Sequence, residues 1–130
     1  MAGTVTQTYY EVGHVRKVVI EWVADASAAT VPATALTTKI QGQLLRMVTN
    51  PGATAPTADY DITLVGDEGE DVLQGVGIDR HTSTTEDVAI VFSGTAVHPW
   101  VSIADTLTFT LANNSVNSAL GTATIYYGMV

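Results

Sequence analysis

The chain has 130 residues, enough for one domain that buries roughly two thirds of the surface its unfolded form exposes, and it has no cysteine for a disulfide framework or a thiolate metal site. Five basic residues, Arg16, Lys17, Lys39, Arg46 and Arg80, stand scattered against thirteen acidic ones, a formal net charge of −8. That balance argues against direct contact with nucleic acid or anionic lipid, both of which call for concentrated Lys and Arg.

Only 14% of residues are charged, against about 25% in ordinary soluble domains. Thr, Ser, Asn and Gln must therefore supply much of the polar surface, as is common where neighbours in an assembly cover a protein's outside. No run approaches the ~20 apolar residues of a membrane span. Met1–Thr6 lacks the basic start and apolar run of a secretory signal, so synthesis and first residence in a cytoplasm are expected.

Met1 to Gly13 has weak patterning and few core anchors, and the 1–14 segment is expected to be an extended arm able to pair with a neighbouring subunit. From Val15 the dominant signal is period-two alternation, the mark of half-buried strands. Val18, Ile20 and Trp22 share a face, with Lys17 and Glu21 on the other. A breaker-rich connection around Pro32 leads to a run over Thr38–Thr49 whose alternation fails: Ile40 and Leu44 share one parity, Leu45 and Met47 the other. Gly42 or the Leu44-Leu45 step would mark a bulge there, unless both faces are buried.

Asn50-Pro51-Gly52 ends that run. Tyr60, Ile62 and Leu64 then alternate with Asp59, Asp61 and Thr63, up to the turn Gly66-Asp67-Glu68-Gly69. Asp71–Gln74 fits one helical turn with an acidic start. Val88, Ile90 and Phe92 make the next set, Leu107, Phe109 and Leu111 against three threonines the cleanest one, and Ala123, Ile125 and Tyr127 against Thr122, Thr124 and Tyr126 the last. Six strands at this spacing predict an all-β domain over 15–130, a single β-sandwich or small jelly-roll-like barrel, preceded by the 1–14 arm.

The order of landmarks from Val15 onward carries a resemblance. It runs through Glu21-Trp22, then Leu44-Leu45-Arg46-Met47-Val48-Thr49-Asn50-Pro51-Gly52, then Thr54–Leu64 with its Asp59-Tyr60-Asp61, then Asp71-Val72-Leu73-Gln74-Gly75, Asp79-Arg80 and Gly121–Tyr127. In this order the chain resembles a group of small virion-associated proteins encoded among the head genes of tailed bacteriophages, over about its last nine tenths. The resemblance implies a structural role, first of all capsid decoration by a β-sandwich protein, often trimeric, that sits on the capsid exterior and braces the junctions of the major capsid protein. It leaves head-completion and tail-associated roles open. It implies no catalytic residues.

The residues add little chemistry to this. Asp67, Glu68, Glu70 and Asp71 are the densest acidic cluster, but their spacing fits no EF-hand loop, and a solvated turn is the simpler reading. Asp59 and Asp61 read as a solubilising strand face. His14, His81 and His98 fall in no metal-binding pattern, and Asp79-Arg80-His81 reads as a loop with a local salt bridge rather than a catalytic unit. No nucleophile elbow, P-loop or dinucleotide fingerprint is present in the sequence. The expectation is therefore no enzyme, no metal and no cofactor.

The candidate partner-binding residues are aromatic: Tyr9 and Tyr10 in the arm, and His98-Pro99-Trp100 at a loop end, where Trp100 would either anchor a subunit contact or plug the sandwich. Expected partners are the major capsid protein and further copies of the chain, a trimer preferred, with no nucleic acid and no membrane. The competing reading is a tail- or fibre-associated module that binds a host-surface glycan or another tail protein.

Overall fold

A computed structural model describes residues 3–91 and 101–128. Among them there is no helix, and every named strand pairing is antiparallel. The strands are β1 (Thr4–Tyr10), β2 (Val15–Val23), β3 (Thr34–Ala35), β4 (Ile40–Pro51), β5 (Asp61–Val65), β6 (Glu86–Ala89), β7 (Val101–Asp105), β8 (Thr108–Ala112) and β9 (Leu120–Gly128). They form two open sheets rather than a closed barrel. The larger runs β1-β2-β9-β4-β6, with β7 also on β4, and the smaller runs β3-β8-β5.

The two sheets share one core. Val18, Ile20 and Trp22 from β2, Ile40, Leu44 and Met47 from β4, and Ala123, Ile125 and Tyr127 from β9 meet Ile62 and Leu64 from β5 and Phe109 and Leu111 from β8. Each large side chain so buried is worth roughly 1.5–3 kcal/mol. Trp22 and Tyr60 lie in contact, ring centroids 5.8 Å apart and tilted by 55°. Gly121, directly opposite Trp22 across β2 and β9, makes room for the indole: a Cβ there would sit 2.8 Å from Trp22 Cζ2.

The broken alternation in β4 is a bulge. Leu44 pairs with Tyr127 and Arg46 with Tyr126, so Leu45 has no partner in β9. Its carbonyl accepts instead from the Ile90 amide, 3.1 Å away. The extra residue flips the facing, as a bulge does: Ile40 and Leu44 are buried before it, Met47 and Thr49 after it. The bulge also divides the far edge of β4, with β7 on Ile40–Leu44 and β6 on Arg46–Thr49.

Two stretches differ from expectation. Within the 1–14 segment expected to be an arm, Thr4–Tyr10 lies along β2 in one unbroken register, Thr4 opposite Val23 to Tyr10 opposite Lys17. Val5, Gln7 and Tyr9 turn inward, and the few apolar residues among them suffice because the strand needs only its inner row partly covered. Over Asp71–Gln74 there is no helical turn of its own but a chain of turns, with the amides of Gln74, Val76 and Ile78 donating to Asp71, Leu73 and Gly75. Positive φ at Gln74 (54°) and Gly75 (81°) stops a helix from propagating. This segment covers the free edge of β5: Ile62 donates to the Gly77 carbonyl, Val72 to that of Leu64, and Tyr60 bridges Arg80. Gly77 lies so close to the Ile62 carbonyl that no side chain fits between them.

Candidate interaction surface

The outer face of the larger sheet carries a row of residues placed directly opposite one another. Tyr10 pairs with Lys17, Lys17 with Tyr126, and Tyr126 with Arg46, so the row crosses β1, β2, β9 and β4. Ring and cation alternate along it. Lys17 Nζ lies 4.9 Å from the Tyr10 centroid and 5.9 Å from that of Tyr126, and the Arg46 guanidinium carbon lies 4.2 Å from Tyr126. Such contacts are worth roughly 0.5–1 kcal/mol each at exposed positions.

The bulge puts Arg46 in this row. Without Leu45 as the unpaired residue, position 46 would share the parity of Ile40 and Leu44 and point into the core. On the outer face Arg46 also forms an ion pair with Asp87 of β6. Lys17 has no carboxylate partner among the described residues.

At the β1 end the row opens into a groove of about 360 Å³ lined by Tyr10, Val12, Val15, Arg16, Lys17 and Tyr126. Its apolar wall is unusual for a surface. Val12 is 90% exposed, Val15 61% and Tyr10 52%, three of the five large apolar side chains exposed among the described residues. What holds these side chains in water is a clip beneath them. The Tyr127 hydroxyl donates to Glu11 Oε2 at 3.1 Å, Arg16 Nη1 stands 3.8 Å from the same oxygen, and Arg16 Nε donates to the Gly13 carbonyl. Burial, reinforced by the hydrogen bond to Glu11, pushes the Tyr127 hydroxyl well above the ordinary tyrosine range, so it remains a donor at neutral pH. The connection Glu11–His14 is thereby fixed to β9, with Gly13 supplying the positive φ of the turn.

Of the residues singled out in the sequence, Tyr10 alone falls in this surface. Tyr9 points the other way: it packs against the core, its hydroxyl donates to Gln7 Oε1 at 2.7 Å and accepts from the Thr38 amide at 3.2 Å. It fastens β1 to the 35–38 segment on the inner side of the sheet. His98, Pro99 and Trp100 lie outside the described residues, as does Phe92. Lys17, Arg46 and Tyr126 were not singled out. Their outward facing was readable for Lys17 and Tyr126 from alternation, but their adjacency depends on strand order, which one sequence does not contain.

The acidic groups are engaged in shaping loops. Asp71 accepts from the amides of Leu64, Leu73 and Gly75, Asp105 from Asp67, and Glu70 from Glu68. Asp61 accepts from the Asp79 amide and from the Asn113 side chain. Arg80 stands 3.4 Å from Glu86, whose Oε1 also accepts from the His81 amide at 2.8 Å, and His81 Nδ1 accepts from the Ser83 and Thr84 amides, so these residues brace the loop. Among the described residues no group of three His, Cys, Asp or Glu is placed to hold a metal ion, and no helix is long and apolar enough to cross a membrane.

Comparison with protein-family models, with curated proteins and with solved structures finds no match to this chain.

Proposed function

We propose that this protein is a structural component of a tailed-phage particle that decorates the capsid exterior, its outer sheet face docking onto the major capsid protein after synthesis in the host cytoplasm. The observation that carries the reading is the Tyr10–Lys17–Tyr126–Arg46 row with its apolar groove: a cationic, aromatic strip on a chain of net charge −8. Rigid aromatic rings beside exposed valines suit the centre of a protein–protein contact. A lysine that has no carboxylate partner among the described residues suits an acidic side chain on the partner. The resemblance of the landmarks to phage head proteins supports the choice of partner. The role is binding rather than catalysis, and its strength would come from several copies on one shell.

A tail- or fibre-associated role is favoured by one feature of the same groove. Tyr10 and Tyr126 flank Lys17, so a sugar ring bearing a carboxylate has two aromatic surfaces and a counter-charge. One experiment separates the readings. Purified protein is mixed with heads lacking it, sedimented, and the pellet is tested for resistance to heat and chelation. Decoration predicts that the protein pellets with heads and stiffens them, and that Lys17→Glu abolishes both. Protein that leaves heads unbound but is recovered in purified tails would overturn decoration.

A further inference from the structure

We infer that two copies of this chain join edge to edge through β1, forming one continuous sheet about a two-fold axis. β1 is the outermost strand of the larger sheet, and its outer edge has no strand partner among the described residues. Sheet edges are normally blunted by charge, proline, bulges, shortness or a covering loop. The other edges here are blunted in these ways. β6 is four residues long and carries Glu86 and Asp87, β7 is five residues long and ends on Asp105, β3 is two residues long, and β5 is covered by the 71–80 segment. β1 is seven residues of Thr-Val-Thr-Gln-Thr-Tyr-Tyr, with no charge, no proline and an unbroken register.

A second copy is the occupant this edge fits. With a net charge of −8 on each chain, most approaches bring carboxylates together, whereas this strand offers none. Antiparallel pairing centred on Gln7 sets Thr6 opposite Thr8 of the second copy, Val5 opposite its Tyr9, and Thr4 opposite its Tyr10. Thr–Thr and aromatic–β-branched pairs are among those that stabilise antiparallel strands. The contact is isologous, so it closes at two copies, in contrast to the trimer implied by the resemblance. Because the axis runs perpendicular to the sheet, both outer faces lie on one side, and the dimer presents two grooves at once.

Dimerisation is measured on the full chain without particles, so its failure and that of the decoration reading are separate results. Light scattering and sedimentation are expected to give twice the 13.6 kDa chain mass. Thr6→Lys with Thr8→Lys places like charges opposite one another twice across the seam, and the dimer Kd should rise about tenfold or more. That variant adds two positive charges to a chain of −8, so general repulsion falls and cannot be the cause. Thr6→Lys with Thr8→Glu sets opposite charges face to face and should retain the dimer, which also controls for folding at these two positions. A wild-type monomer at every attainable concentration overturns the inference. So does a dimer that survives the double-lysine variant, or one lost equally in both.

Discussion

The two faces of the larger sheet are built from the same strands and answer to different demands. The inner face holds Trp22, Leu44, Met47, Ile125 and Tyr127, all buried against the smaller sheet. On the outer face, Thr8, Val19, Thr124 and Val48 form one row of neighbours and Thr6, Glu21, Thr122 and Asn50 another, residues suited to a wet pleated surface. Between these unremarkable rows and the end of the sheet stands Tyr10–Lys17–Tyr126–Arg46. Folding explains the inner face completely. It does not call for an ordered aromatic and cationic row on the outer one, and that surplus is the reason to look there for function.

Truncating one large side chain on each face separates their roles most clearly. Trp22→Ala removes the largest core side chain and is expected to cost about 3–5 kcal/mol, a large share of the stability of a domain this size. Tyr126→Ala on the opposite face should cost less, about 1–2 kcal/mol, since a half-buried ring is lost with two weak cation contacts. Chemical denaturation of both variants checks this. Equal losses would show that the outer row is part of the core's support. The complementary measurement is head binding: Tyr126→Ala and Lys17→Glu, both folded, should lose about tenfold or more in affinity. Full occupancy by both variants would remove the row from the interface.

How much of this was legible beforehand follows from what strand patterns encode. Alternation in Val18–Trp22, Tyr60–Leu64, Leu107–Leu111 and Ala123–Tyr127 reports burial on one face, and those residues are the core. The parity break over Ile40–Met47 pointed to a bulge for the same reason, and the register with β9 places it at Leu45 rather than at Gly42. β1 escaped because its inner row is Val5, Gln7 and Tyr9, only one of them aliphatic, and its place depends on a register with β2 rather than on hydrophobicity. β7 and β3 are short, and their pairings are set by partners far along the chain. The row across four strands is a product of order and register together: Tyr10 and Lys17 are seven positions apart, but Tyr126 is more than a hundred from either. In the adjacent pair Tyr9-Tyr10, alternation itself divides the roles, one ring inward and one outward.

The smallest effect tests where charge contributes to the fold, since the ion pairs among the described residues are all at least partly exposed. Asp25 follows β2, and its Oδ1 accepts from the Ser27 amide at 2.7 Å, the Ala28 amide at 2.8 Å and the Ser27 hydroxyl at 3.0 Å. These bonds, the Ser27 amide first, hold its carboxyl below the usual aspartate range. The same residue's carbonyl accepts from Ala29 and from Ser118, so the turn ties the end of β2 to the loop before β9. A carboxyl with a folded pKa below its unfolded value adds stability above the unfolded value, near pH 4, and loses it as pH falls through the folded one. Asp25→Asn keeps an acceptor oxygen and removes the charge. Its stability deficit relative to wild type should be greatest at neutral pH and should shrink steadily below about pH 4. Denaturation curves at pH 7, 4 and 2.5 measure it. A deficit that stays constant across that range would mean that shape, and not charge, is what this turn takes from Asp25.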